Sequence, residues 1–170
     1  MAAILLLGFA SGLPFALTDD AFRAWMTKAQ LNLSTIGWFS WVSLPYSLKF
    51  FWAPLLDRFV PPFLGRRRGW MTIAQIGLIA VILAIAAQMA TIIGLPTDQR
   101  SFNLQLLALT AILLAFLSAT QDIAIDAYRA DVLEPHETGA GASFTILGYR
   151  IALLLTGWIA FNLADQISWH

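Results

Sequence analysis

The 170-residue chain is 59% hydrophobic and only 12% charged, with a mean hydropathy of +0.72. Because about 25% of the residues in a soluble domain are charged, this composition excludes an ordinary soluble protein and indicates an integral membrane protein. Ten basic and ten acidic residues cancel, so no net charge favours nucleic acid as a partner. The absence of cysteine excludes disulfides and thiolate metal sites within the chain. We expect neither a metal ion nor a cofactor.

Five segments are apolar enough to cross a hydrocarbon core about 30 Å thick, which takes about 20 helical residues. We therefore predict an all-α membrane protein with transmembrane helices at about 2–27, 34–56, 70–93, 104–128 and 139–164. The alternation typical of membrane barrel strands is missing. Transporters are commonly built from paired groups of helices. An odd number of predicted helices therefore predicts that further transmembrane helices are missing from this chain.

The orientation is predicted from the loops, since basic loops tend to stay in the cytoplasm. The most basic loop follows the second predicted helix and contains Arg58, Arg66, Arg67 and Arg68. We expect this loop to be cytoplasmic. The N-terminus and the loop at 131–137 are then cytoplasmic as well.

The first two predicted helices also contain charged residues. Asp19, Asp20 and Arg23 lie near the outer end of the first helix, where a local ion pair at the interface is the simpler interpretation. Lys49 lies inside the second helix. Its long stem either extends to the membrane surface or carries its charge into a polar cavity.

On the fourth predicted helix, Asp122, Asp126 and Arg129 are spaced i, i+4 and i+7, which places them on one face. With the helix end near Val132, Asp122 lies about 15 Å inside the membrane. A carboxylate at this depth can carry a proton, because its charge is poorly solvated and depends on nearby cations. We expect Asp122 to be the first candidate for proton coupling and Asp126 the second, although the neighbouring loop could simply solvate Asp126.

Arg150 lies about 18 Å inside the fifth predicted helix. A guanidinium at bilayer depth costs at least about 2.5–3.5 kcal/mol on insertion scales, and it usually faces a cavity or a carboxylate. We expect Asp122 and Arg150 to face one cavity, either paired with each other or awaiting a charged group of a substrate. The alternative is a structural ion pair that holds two helices in register.

The loop after the second predicted helix resembles a cytoplasmic motif of the major facilitator superfamily, Gly-x-x-x-Asp-Arg-x-Gly-Arg-Arg. Asp57, Arg58 and Gly65–Arg67 match the motif, whereas Ala53 replaces its first glycine and residues 59–64 stand where one residue is usual. The resemblance implies a gating latch formed by Asp57, Arg58, Gly65, Arg66 and Arg67. The alternative is that these charges only set the orientation of the chain.

Longer strings are similar to the AmpG-type muropeptide permeases of that superfamily. They are Leu7–Pro14, Lys49–Arg58, Pro61–Trp70, Ser118–Ala127, Gly139–Ala142 and Leu147–Arg150. This resemblance covers nearly the whole chain. It implies part of the N-terminal six-helix bundle of a secondary transporter that imports anhydro-muropeptides with protons across the bacterial inner membrane, for the recycling of peptidoglycan.

The resemblance also implies which side chains meet the substrate. Arg150 and Lys49 would bind a carboxylate, while Gln121 and Tyr149 would bond to hydroxyl and amide groups. A transporter of acetyl-coenzyme A is the nearest alternative, because that group resembles the same strings. A non-transporting membrane subunit or a truncated inactive product is a further alternative. An enzyme is not expected, since no nucleophile–base pair or metal-ligand spacing is found.

Overall fold

The computed structural model describes residues 1–16, 40–93, 95 and 100–166. Within these ranges the fold is all-α. The helices are α1 (Ala2–Ala16), α2 (Leu44–Leu48), α3 (Ala53–Arg58), α4 (Gly65–Ile93), α5 (Arg100–Val132) and α6 (Thr138–Gln166). The predicted interfacial charges Asp19, Asp20 and Arg23 lie outside the described residues.

Among the described helices, three are long and apolar enough to cross a membrane. They are the stretches Gly65–Ile92, Phe102–Val132 and Thr138–Ile159, and α1 is a shorter apolar helix. Helices α4, α5 and α6 each extend beyond the apolar segment predicted from hydropathy; α4, for example, begins at Gly65 instead of residue 70. Hydropathy detects only the apolar part of a helix, whereas the backbone hydrogen bonds of α4 continue through the arginines at its start.

The second predicted helix is broken into short pieces in its described part. Turns of 3₁₀ helix at Ser40–Ser43 and Lys49–Phe51 precede α2 and α3, and a proline lies at the start of each of these two α-helices. Proline has no N–H to donate to the preceding turn and its ring clashes with that turn, so each proline ends one helix and starts another. Pro45 and Pro54 thereby divide the segment that carries Lys49.

The main apolar core lies between α4 and α5. This core contains Leu78 of α4 and Leu107 and Leu114 of α5, and all three are almost fully buried. Gln88 Nε2 donates to Thr110 Oγ1 at 3.0 Å, which adds a polar link between the same helices. The other face of α4 exposes mainly apolar side chains, including Ile76 and Leu83, as expected of a surface in contact with lipid.

Helix α1 packs closely against α6 because glycines remove the side chains between the two backbones. A Cβ atom at Gly148 would clash with the carbonyl oxygen of Leu5 and lie 2.9 Å from Phe9 N. A Cβ atom at Gly8 would clash with the carbonyl group of Thr145. Small residues permit this kind of backbone approach between membrane helices. The approach fixes the position of Ser11 on α1 relative to the other helices.

We therefore expect Gly148→Ala to destabilise the protein, because the added methyl group meets backbone atoms that cannot move independently. Overpacking typically costs about 1–3 kcal/mol, which outweighs the gain of up to about 1 kcal/mol from replacing a helical glycine. The thermal midpoint of the purified protein in detergent should fall by several degrees. Gly157→Ala is the matched control on the same helix, because a Cβ atom there meets nothing within 4 Å. Equal midpoints for the two variants would contradict the close packing.

Candidate functional site

Asp122 lies at the centre of a polar cluster inside the candidate span of α5. Ser11 Oγ of α1 donates a hydrogen bond to Asp122 Oδ1, and Lys49 Nζ lies 4.0 Å from Asp122 Oδ2. The side chain of Asp122 is 18% exposed. Ten residues separate it from the end of α5 at Val132, which corresponds to about 15 Å along the helix. A carboxylate is thus held between a hydroxyl and an ammonium group at membrane depth.

Asp122 is the first of four side chains that form a row of alternating charges, followed by Lys49, Asp126 and Arg129. Lys49 Nζ is equally far, 4.0 Å, from Asp126 Oδ2, and Arg129 Nη2 lies 3.3 Å from Asp126 Oδ1. Arg129 Nη1 also donates to Thr145 Oγ1 of α6 at 3.2 Å. Asp122, Asp126 and Arg129 share one face of α5, as their spacing predicts. Two acids and two cations balance in this row.

The position of Lys49 depends on the contacts of its short 3₁₀ segment with α5. Trp52, three residues further on, donates from Nε1 to Thr120 Oγ1 at 3.2 Å, and its ring packs on Phe116 with a centroid distance of 4.9 Å. Thr120 Oγ1 donates in turn to the carbonyl oxygen of Phe116 at 2.8 Å. The indole therefore anchors the broken segment on α5 and directs Lys49 towards the two carboxylates.

Arg150 is not part of this row. Within the described ranges its side chain is exposed and makes no ion pair or hydrogen bond. Of the two expected arrangements, the direct pair of Asp122 with Arg150 is therefore not formed, because Lys49 and Ser11 take the carboxylate. Arg150 lies 12 residues after the start of α6 at Thr138, about 18 Å along the helix.

The other two predicted substrate-binding residues occupy different environments. Gln121 is 3% exposed, and its Oε1 has no hydrogen-bond partner among the described residues. Tyr149 is half-buried, with its ring 6.0 Å from that of Phe15, which also meets Tyr46 edge-on at 5.2 Å. Phe15 thus connects two tyrosines from separate parts of the chain. No three potential metal ligands converge in the described part of the chain.

Arg67 connects the ends of three helices. Its Nη1 pairs with Asp57 Oδ1 at the end of α3, and its Nε donates to Asp131 Oδ2 near the end of α5 at 2.8 Å. The other two arginines of the predicted latch, Arg58 and Arg66, are exposed and have no ion pair among the described side chains. Gly65 has a φ of 75°, a left-handed conformation that suits glycine.

Sequence reasoning missed several residues of these clusters, among them Ser11 and Asp131. Ser11 lies between Gly8 and Gly12 in a helix whose glycines face another helix, so its position among small residues was a signal that its hydroxyl points into the protein. Asp131 follows Asp126 and Arg129 on the last turn of α5, in the segment predicted to be the cytoplasmic loop 131–137. An acid at the same membrane face as the basic loop was the available signal.

Comparisons with known proteins agree on a transporter family. A family model described as "Acetyl-coenzyme A transporter 1" matches residues 1–168. The anhydromuropeptide permease of Escherichia coli (strain K12) is 46% identical over 170 residues, covering 99% of this chain and 33% of the relative. Putative transporter AmpG 4 of Rickettsia conorii is 33% identical over 165 residues, covering 95% of this chain and 37% of the relative.

The chain thus spans about a third of the length of these relatives. Both are named as transporters, and the apolar helices of this chain fit a multi-pass membrane protein. The chain belongs to the acetyl-coenzyme A transporter 1 family.

Proposed function

We propose that this chain forms part of a proton-coupled carrier that imports anhydro-muropeptides across the bacterial inner membrane. The remaining helices would come from the rest of a longer protein, and the N-terminus would face the cytoplasm. The observation that carries the proposal is the carboxylate of Asp122, held inside a membrane helix between Ser11 Oγ and Lys49 Nζ. The 46% identity to an anhydromuropeptide permease supports this choice of substrate.

Asp122 is the proposed proton carrier. Its charge is disfavoured by removal from water and favoured by the adjacent ammonium group, so a small movement of Lys49 changes its tendency to hold a proton. Asp126 is the second candidate, but its side chain is 52% exposed and is also paired with Arg129. Solvent and salt screen the charges around an exposed carboxylate, so movement of its partners changes its proton binding less. We therefore propose Asp122 for the main role.

Arg150 is the proposed contact for a carboxylate of the substrate. Muropeptides contain sugars, amides and carboxylates, and a guanidinium binds a carboxylate through two parallel hydrogen bonds. Its exposed side chain has no ion pair within the described ranges, so it is available to a ligand. Lys49, Gln121 and Tyr149 remain candidates for the same site, with Tyr149 and its neighbour Phe15 offering aromatic surface to a sugar ring.

The latch is proposed to centre on Arg67. This side chain links α3, α4 and α5 through Asp57 and Asp131, and breaking these contacts would release three helix ends at one membrane face. Movement of one helix group against another is how carriers of this kind expose a site alternately to the two sides. Arg58 and Arg66 are expected to join the latch only through residues beyond the described ranges.

Transport of acetyl-coenzyme A is the second candidate, favoured by the name of the matching family. Coenzyme A carries several phosphates, whereas Lys49 and Arg150 are the deep basic residues expected to face a substrate in this chain. Uptake of both compounds by the full-length protein in vesicles separates the two candidates. A non-transporting subunit would take up neither.

We expect Asp122→Asn to abolish proton-driven accumulation, because an amide cannot exchange a proton. In vesicles containing the full-length protein, accumulation of labelled anhydro-disaccharide peptide should fall at least about tenfold, while exchange of substrate without a proton gradient continues. Glu134→Gln is the control, since Glu134 lies in the exposed loop and pairs only with His136 among the described side chains. Accumulation by Asp122→Asn that still collapses with an uncoupler would rule out this carrier role.

Arg150→Ala should weaken binding of substrates that carry a free carboxylate. We expect the KM to rise about tenfold or more, since a charge-assisted hydrogen bond contributes about 1.5–3 kcal/mol. A substrate whose peptide carboxylates are converted to amides should show a smaller change. Arg150→Lys keeps the charge without the bidentate geometry, so its KM should lie between those of the unmodified protein and Arg150→Ala. An equal rise in KM for acid and amide substrates would contradict the proposed contact.

Arg67→Gln should weaken the contacts between the ends of α3, α4 and α5 that Arg67 joins. We expect a loss of roughly 1–2 kcal/mol in stability, as two partly exposed ion pairs are broken at once. A double-mutant cycle with Asp131→Asn in detergent measures the interaction directly. Arg68→Gln is the matched control, because Arg68 is exposed and has no ion pair in the described part of the chain. A coupling energy near zero would leave Arg67 with no role as a latch.

A further inference from the structure

The loop between α3 and α4 exposes an unusual set of apolar side chains. Four of its six residues are more than half exposed: Phe59 57%, Val60 56%, Phe63 65% and Leu64 64%. These residues do not cover the α4–α5 core. In the sequence they form the insertion that interrupts the motif after the second predicted helix. The latch contacts of Arg67 do not use them.

Contacts on the inner side of the loop hold these side chains outward. Pro61 is buried against Gly69, where an added Cβ would lie 2.8 Å from the proline ring. Trp70 Nε1 donates to the carbonyl oxygen of Phe59 at 2.8 Å. Leu64 adopts a φ of 63°, which is uncommon for a non-glycine residue and persists only where the surroundings fix it. The outward position is therefore built into the loop.

Three arginines beside this loop have no acidic partner among the described side chains. Arg67 takes both Asp57 and Asp131. Arg58, Arg66 and Arg68 are exposed and make no ion pair with any side chain in the described ranges. The surface around the exposed apolar residues therefore has a local excess of positive charge, although the whole chain is neutral.

The length of α4 places these groups at the depth of the lipid headgroups. Its 29 residues correspond to about 43 Å, whereas the hydrocarbon core is about 30 Å thick. A centred helix extends about four residues beyond the core at each end. At the first end these residues are Gly65–Arg68, so the arginines meet the phosphate layer and the neighbouring loop meets the boundary with the acyl chains.

We infer that the loop 59–64, together with Arg58, Arg66 and Arg68, is a binding site for anionic phospholipid headgroups. The guanidinium groups bind the phosphates, as arginine does through paired hydrogen bonds. Phe59 and Phe63 enter the upper part of the acyl chains, as aromatic residues do at membrane interfaces. Basic side chains beside apolar ones are the composition that anionic lipid surfaces attract.

The test measures which lipid lies beside the loop. Val60→Cys in the full-length protein, in a background with no other cysteine, carries a bimane label in vesicles of phosphatidylcholine and phosphatidylglycerol. Quenching by brominated phosphatidylglycerol is compared with quenching by brominated phosphatidylcholine at equal mole fraction. We expect phosphatidylglycerol to quench about fivefold more strongly, the enrichment that one basic residue gives near an anionic surface. In 1 M salt, where the Debye length is about 3 Å, this preference should fall markedly.

Charge variants and a second label position separate this site from general contact with lipid. Replacing Arg58, Arg66 and Arg68 together by Gln should bring the ratio near one, and replacing them by Lys should retain most of it. A label at Ile79→Cys, in the middle of α4 and 52% exposed, should show no preference. Equal quenching by the two lipids at Val60→Cys would overturn the proposal. Quenching by neither lipid would also overturn it, because protein would then cover the loop.

Discussion

The arrangement of this protein depends on how ionised groups are stabilised in a solvent that cannot hydrate them. A charge inside a membrane helix usually has a partner of opposite sign or faces a water-filled cavity. Asp122, Lys49, Asp126 and Arg129 have such partners because they alternate in sign. Because Lys49 belongs to a different segment from the other three, the same contacts fix the broken segment 40–58 against α5. The ion pairs of Lys49 therefore both stabilise these charges and hold two segments of the chain together.

The glycines of α1 and α6 contribute to the same site from the other side. Gly8 and Gly148 allow the two helix backbones to touch, and this approach brings Ser11 within hydrogen-bonding reach of Asp122. A bulkier residue at either position would displace α1 and remove a donor from the carboxylate. Two glycines thus influence how well the charge of Asp122 is stabilised, because they set the distance between α1 and α6.

The three long helices coincide with apolar segments of the sequence, because a segment of about 20 predominantly apolar residues leaves few alternatives to a membrane-spanning helix. The sequence also predicts that Asp122, Asp126 and Arg129 share a face, which follows from helix geometry alone. The cation next to Asp122 could not be predicted in this way. Lys49 and Arg150 both lie inside predicted membrane helices, and the depth of a residue in its helix does not reveal which helices are neighbours. The broken segment depends on Pro45 and Pro54, whose presence was evident but whose effect on the direction of Lys49 was not.

The balance of charges links the proton to the substrate in the proposed carrier. With Asp122 ionised, the row of two acids and two cations is neutral, and Arg150 is the additional positive charge. A proton on Asp122 leaves the row with one positive charge in excess, which a carboxylate of the substrate would offset. Two opposite charges about 10 Å apart attract by about 1.7 kcal/mol at an effective dielectric constant of 20. Proton and carboxylate would then each strengthen the binding of the other by the same factor, since such coupling is reciprocal. A substrate with amidated carboxylates would lack this attraction. Its binding should therefore depend less on the protonation of Asp122 than the binding of a substrate with free carboxylates.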